Sequence, residues 1–141
     1  MLTQTLVEME EYIDESKIDF IVNIPEHEVY ILADGKKTFR VFENIISNIL
    51  KYSLEGTRVY IDLEEKNDKV YISFKNISKY QLNFNPDEIT ERFTRGDLSR
   101  NTEGSGLGLS IAKGFVEAQD GNLKVEIIGD LFIVNIEFNL S

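Results

Sequence analysis

Asn44 and Asn48 stand four residues apart, with Arg40 four before the first and Lys51 three after the second. At about 100° per residue these four side chains fall within about one quadrant of a helix. On another face fall Phe42, Ile45, Ile46, Ile49 and Leu50, which read as core. Asparagine is a mediocre helix former because its amide competes for backbone hydrogen bonds. Two aligned with two cations therefore have two readings: a solvated polar face, or a wall of amide oxygens and ammonium groups facing an anion. An amide oxygen can complete a Mg²⁺ shell whose other ligands are phosphates and water.

The second pattern is Asn101-Thr-Glu-Gly-Ser-Gly-Leu-Gly-Leu109, with glycines at 104, 106 and 108 just before an amphipathic stretch. Glycine lets backbone approach a ligand closely, and a helix N-terminus favours an anion, so a phosphate fits both. A flexible hinge is the other reading. The string is neither a Walker A loop, which needs G-x-x-x-x-G-K-[ST], nor the dinucleotide fingerprint, whose third glycine falls one residue later and which follows a strand.

The rest of the composition narrows the chemistry. The chain has 141 residues, one domain's worth, with 42% hydrophobic and 11% aromatic residues, a globular composition. Its net charge of −10 argues against nucleic acid and anionic membrane as partners. The absence of cysteine excludes a disulfide scaffold, a cysteine zinc site and thiol catalysis, and fits a reducing cytosol. The single histidine, His27, excludes a multi-histidine metal centre. No apolar run approaches the roughly 18–20 residues of a membrane span, and the acidic, amphipathic start is no signal peptide.

These residues need elements to hold them. Leu2–Ser16 predicts a helix with Leu2, Leu6, Met9 and Ile13 on one face. Ile18–Ile24 and Glu28–Ala33 predict two strands. A long helix follows over about Lys36–Ser53, ended by Gly56. Thr57–Glu64 and Lys69–Asn76 alternate as a hairpin about Asn67-Asp68. From Ile77 to Gly104 only Pro86–Phe93 suggests a short helix, and so long an irregular stretch is usually a binding loop, a lid or disorder. Gly106–Gln119 predicts a helix with Leu107, Ile111, Phe115 and Ala118 in register, and Asn122–Ile128 and Leu131–Phe138 a closing hairpin through Gly129-Asp130. Paired strands dominate, so the expected fold is an α+β sandwich, with helices on one face of a mixed sheet.

Taken together and in order, the two patterns resemble a known family. Asn44-Ile-Ile-Ser-Asn-Ile-Leu-Lys-Tyr-Ser53 looks like an N box, Glu91-Arg-Phe93 like a phenylalanine box, and Gly104-Ser-Gly-Leu-Gly-Leu109 followed by Ser-Ile-Ala-Lys113 like a glycine box. The chain thus resembles the catalytic ATP-binding domain of bacterial two-component sensor histidine kinases. That superfamily includes DNA gyrase, mismatch-repair ATPases and the ninety-kilodalton heat-shock chaperone. The resemblance covers nearly the whole chain and implies a Bergerat-type α/β sandwich with a mobile ATP lid at about 94–105.

The resemblance also implies roles. Asn48 would ligate the Mg²⁺ that bridges the phosphates of ATP, Asn44 would support it, and Lys51 and Tyr52 would contact phosphate or sugar. Gly104, Ser105, Gly106, Leu107, Gly108 and Leu109 would close over the phosphates. Arg95 and Arg100 would supply cations to the γ-phosphate, and Phe93 would anchor the base of the lid. One stretch departs from the pattern. Where the family has Asp-x-Gly-x-Gly, this chain reads Asn76-Ile-Ser-Lys-Tyr80. Asn76 can accept from the adenine amino group through its amide oxygen, without the charge assistance of a carboxylate. Ser78 and Tyr80 replace both glycines, which puts adenine affinity in question. Tyr80 and Phe84 are expected in ordinary core, with stacking on adenine as the alternative. Hydrolytic relatives carry a water-orienting Glu where this chain has Asn44, and Glu43 points about 100° away around the helix. That suits transfer of the γ-phosphoryl to another nucleophile, by positioning and charge neutralisation.

His27-Glu28 echoes a phosphoacceptor pair but follows Pro25 in a turn, so the acceptor is expected on a separate dimerisation domain. The resemblance implies residues 1–17 as a linker helix, residues 18–141 as the catalytic domain, and the chain as a monomeric, cytoplasmic fragment of a longer kinase. A response regulator would then be an indirect partner. Two other functions stay open: a serine kinase of the anti-sigma type, and a nucleotide-sensing domain without catalysis.

Overall fold

The computed structural model describes residues 2–26, 29, 35–82 and 107–140. The long helix, α3 (Gly35–Tyr52), buries Val41, Phe42, Ile45, Ile46 and Ile49 along one stripe, as its periodicity requires. Before it come α1 (Leu2–Glu8), α2 (Glu10–Glu15) and β1 (Asp19–Asn23). After it come β2 (Arg58–Lys66), β3 (Lys69–Ile77), α4 (Leu107–Glu117), β4 (Asn122–Ile128) and β5 (Leu131–Asn139).

The five strands form one sheet in the order β1-β2-β3-β5-β4. β1 runs parallel to β2, and every other pairing is antiparallel. Both hairpin turns form where expected. Asn67 and Asp68 sit at φ 53° and 64°, the left-handed geometry of a two-residue turn, and Gly129 at φ 61° closes the second.

Strand alternation sends Val59, Ile61, Val70, Ile72, Phe74, Val134, Ile136, Phe138 and Leu123 to one face, where they form a single buried cluster with the helices. The rings of Phe42 on α3 and Phe74 on β3 lie 6.2 Å apart and tie helix to sheet. Burying each such side chain stabilises by about 1.5–3 kcal/mol, so this layer dominates the fold's energetics. The other face carries Tyr60 and Tyr71, both exposed, among charged neighbours. The expected α+β sandwich, helices on one face of a mixed sheet, is what forms.

Three expectations need correction. The N-terminal helix is two short helices broken at Met9 (φ −99°, ψ 9°), although Thr5 and Met9 carbonyls still accept from Met9 and Ile13 amides across the break. The long helix ends at Tyr52, within a residue of the expected end, where Ser53 enters a β-bridge with Ser78. Gly56, at φ 81°, instead shapes the turn into β2, its amide donating to the Lys17 carbonyl. On α4 the buried residues are Leu109, Ala112 and Val116, while Ile111 is 41% exposed. Apolar residues surround that helix on several sides, so periodicity alone left its phase ambiguous. His27, the helix expected at Pro86–Phe93 and, but for Val29, the strand expected at Glu28–Ala33 lie outside the described residues.

Candidate functional site

The amides of α3 occupy the margin between its buried and exposed faces. Asn44 and Asn48 are half-buried, Lys51 is exposed and Tyr52 is half-buried. One turn earlier, Arg40 and Glu43 line a hollow of about 560 Å³ against Gln4 and Glu8 of α1, a hollow that Asn44 and Asn48 do not line.

The C-terminal end of α3 is stitched to the end of β3. The Leu54 amide donates to the Ile77 carbonyl at 2.8 Å, and the Lys79 amide to the Tyr52 carbonyl at 2.9 Å. Between these bonds lies the Ser53–Ser78 bridge. The Ser78 amide donates to the Asp130 carbonyl at 2.8 Å, which joins the β4–β5 turn to the same seam.

This seam places Asn76 at the closed end of the core. Along β3, Val70, Ile72, Phe74 and Asn76 all point to the helices, and Asn76 is the one polar member of that row. A buried amide needs partners, because an unpaired polar group there costs several kcal/mol. Its Nδ2 donates to Ser53 Oγ at 2.9 Å, with both residues buried at 4% and 3% exposure. Among the described residues, the one fully occluded side-chain polar atom without a partner is Thr38 Oγ1. The bond to Ser53 Oγ engages the Nδ2 edge of the Asn76 amide, and Oδ1 is its other edge.

The residues after Asn76 form a compact polar turn. Ser78 Oγ donates to the Tyr80 carbonyl at 2.8 Å and accepts from the Tyr80 amide at 3.1 Å. A serine side chain can close such a turn where glycines would have left it loose. Tyr80 is 58% exposed, which overturns its expected burial as core. Its ring meets that of Tyr52 edge-on at 6.2 Å and 63°, and Lys79 Nζ lies 5.5 Å from its centroid.

Of the residues singled out in the sequence, Tyr52 and Asn76 are therefore drawn into one seam, and Asn44, Asn48 and Lys51 lie on the helix that leads to it. Leu109 is buried in the core on α4, and Leu107 and Gly108 open that helix. Phe93, Arg95, Arg100, Gly104, Ser105 and Gly106 lie outside the described residues, as does Phe84. Sequence reasoning missed Ser53. Its signal was available: a small hydroxyl residue at a helix end, and an asparagine that continues an otherwise apolar β alternation and needs a partner.

The family model for histidine kinase-, DNA gyrase B- and HSP90-like ATPases (HATPase_c) matches residues 33–139. The chain belongs to this family. Among curated relatives of this ATPase domain, sensor histidine kinase WalK of Bacillus subtilis (strain 168) is 36% identical over 127 residues, which cover 87% of this chain and 21% of that protein. The probable sensor protein PcoS of Escherichia coli is 39% identical over 103 residues, covering 72% of this chain and 22% of that protein. The chain thus spans about a fifth of the length of these two relatives. The fold is shared with the catalytic domain of histidine kinase ThkA in a nucleotide-free form. The TM-score is 0.80 at 24% identity, over 98% of this chain and 89% of that one.

As an ATPase-family domain, the chain offers groups that suit a nucleotide. Half-buried amides on α3, the Asn76 amide at the end of β3 and the paired rings of Tyr52 and Tyr80 supply polar and apolar surface together. Among the described residues, no three His, Cys, Asp or Glu side chains converge. A divalent ion there would take an amide oxygen, phosphates and water, a combination that Mg²⁺ accepts.

Proposed function

We propose that this chain is the Mg-ATP-binding catalytic domain of a sensor histidine kinase, donating the γ-phosphoryl of ATP to a histidine on a separate dimerisation domain. A response regulator would be the indirect partner. The observation that carries the reading is the pair Asn44 and Asn48, one helical turn apart and half-buried on α3, in a chain of the HATPase_c family. Similarity to relatives named as sensor kinases favours phosphoryl transfer to histidine over the serine-kinase and nucleotide-sensing alternatives.

In this reading Asn48 supplies an amide oxygen to Mg²⁺ and Asn44 supports it from the preceding turn. When bound, the ion neutralises charge on the phosphates. Lys51 adds a cation at the open end of the helix, and Tyr52 lies against phosphate or sugar. Asn76 Oδ1 accepts from the adenine amino group. Gly104, Ser105, Gly106, Leu107, Gly108 and Leu109 bring backbone amides to the phosphates, with Arg95 and Arg100 on the γ-phosphate and Phe93 beneath them. At the position where hydrolytic relatives place a water-orienting Glu, Asn44 offers no general base, so transfer to water is disfavoured. Residues 1–17, which carry α1 and α2, serve as a linker, residues 18–141 form the catalytic domain with a lid at about 94–105, and the protein works in the cytoplasm as a monomeric unit.

The test is calorimetric titration of ADP and a non-hydrolysable ATP analogue, with Mg²⁺ and with chelator, on the chain and on Asn48→Ala. We expect affinity to fall about tenfold or more on chelation or on Asn48→Ala, tenfold being roughly 1.4 kcal/mol. Absence of nucleotide binding at millimolar concentration would overturn the reading. Phosphoryl transfer to a supplied phosphoacceptor domain, rather than to a protein serine, would separate the histidine-kinase reading from its nearest alternative.

A further inference from the structure

We infer that Tyr80 is a nucleotide-binding residue: its ring, set against that of Tyr52, is the platform on which the base stacks. The inference rests on the nucleotide-site reading above and deepens it. Asn44, Asn48 and Tyr52 follow one another at four-residue steps along α3, so they form one stripe. Each step advances about 6 Å along the axis. The stripe thus runs from amides, which suit a metal and phosphates, to an aromatic ring. Tyr80 continues it. Its ring centroid lies 6.2 Å from that of Tyr52, and the Lys79 amide donates to the Tyr52 carbonyl at 2.9 Å. A nucleotide has the same polarity, anionic at one end, flat and aromatic at the other.

The Tyr80 ring is outside because its backbone is held, not because it is loose. Tyr80 is 58% exposed, yet Ser78 Oγ accepts from its amide and donates to its carbonyl. Ser78 is itself buried, and its amide donates to the Asp130 carbonyl at 2.8 Å. The side chain keeps only its two torsions, so a ligand that stacks on it orders little else. Tyr12, Tyr60 and Tyr71 are exposed too, but among the described residues no second ring packs against any of those three. Tyr52 and Tyr80, inclined at 63°, make a corner. In that corner the base would lie on the face of Tyr80, with Tyr52 beside the sugar; offset stacking of this kind is a favoured aromatic geometry. Lys79 Nζ, 5.5 Å from the Tyr80 centroid, adds a cation beside the platform. The glycine of the family pattern would offer no ring at this position. Stacking here offsets the charge assistance that Asn76 lacks in place of a carboxylate.

The experiment titrates ADP, with Mg²⁺, by calorimetry into wild type, Tyr80→Ala, Tyr80→Phe and Tyr80→Trp. Tyr80→Ala should weaken binding about tenfold, the scale of one base stacked on one aromatic side chain. Tyr80→Phe keeps the face and should stay within about twofold of wild type, and Tyr80→Trp, with a larger face, should bind at least as tightly. Nuclear Overhauser contacts from the Tyr80 ring protons to adenine H2 or H8 should appear in the wild-type complex, and a merely structural role would not produce them. Because the ring is mostly exposed, Tyr80→Ala should unfold at a midpoint close to that of wild type; should it fail to fold, the Overhauser contacts decide. Unchanged affinity in Tyr80→Ala, a loss in Tyr80→Phe as large as in Tyr80→Ala, or absence of those contacts overturns the inference and leaves the nucleotide site standing. Failure of wild type to bind ADP overturns both.

Discussion

Removing Ser53, Asn76 or both should expose how much stability resides in their hydrogen bond, and the three variants should not add. The bond joins two neutral groups at 2.9 Å, buried at 3% and 4% exposure. A neutral bond of this kind contributes about 1 kcal/mol net, while a buried group left without its partner costs about 1–3 kcal/mol. Ser53→Ala leaves the Asn76 NH₂ without an acceptor, so we expect a loss of about 2 kcal/mol. Asn76→Ala leaves only a hydroxyl, which can turn to the nearby Ile49 carbonyl in the manner of helix serines, so its loss should lie nearer 1 kcal/mol. The double variant leaves neither group stranded and should cost less than the sum of the singles by about 1 kcal/mol. Urea unfolding of the four proteins, with midpoints compared at equal slopes, measures this coupling. Additivity within about 0.3 kcal/mol would show that the two side chains act independently and would refute the argument from burial.

Two glycines should respond in opposite directions to alanine. Gly114, inside α4, has nothing within 4 Å of an added Cβ, so Gly114→Ala should raise stability by up to about 1 kcal/mol through helix propensity. At Gly121 the same atom would stand 2.7 Å from the Glu137 carbonyl oxygen and 2.8 Å from Val116 Cγ1, so Gly121→Ala should destabilise by about 1–3 kcal/mol. Thermal unfolding of both variants checks the pair. Breaking the Lys69–Glu137 ion pair, 3.3 Å long but with the lysine side chain 42% exposed, should cost less than about 1 kcal/mol, less still in high salt.

Much of the fold was legible because several signals agreed. The Asn67-Asp68 and Gly129-Asp130 turns, the period-2 runs beside them and the apolar stripe of α3 each have one physical solution. The phase of α4 was not legible, because Leu109, Ile111, Ala112, Phe115 and Val116 offer more than one apolar face and only contact with α3 chooses among them. What ends α3 was not legible for a related reason. A glycine is a local stop signal, whereas the stop here is a bridge from Ser53 to Ser78, distant in sequence. At the site, the α3 asparagines announced themselves by spacing. The Ser53–Asn76 pair did not, since its members are 23 residues apart and become partners only when β3 meets the helix end. Tyr80 was misjudged as core because aromatic character suggests burial, and only the Ser78 turn sets its ring outside.

The sheet order has a consequence for how this chain tolerates change. β2 with β3, and β4 with β5, are hairpins that each close through a two-residue turn, so their pairing is local and should form early. The seam that joins them, β3 against β5, is anchored over nine residue pairs from Lys69–Asn139 to Ile77–Leu131. Its register is thus set from within the sheet and not by the length of the chain between Ile77 and α4. Doubling a flexible connection costs only about 0.6 kcal/mol of closure entropy. Insertions or deletions in that connection should therefore leave the strand pairing intact. Selection can thus rewrite the segment that carries the glycine-rich string without changing the pairing of the strands.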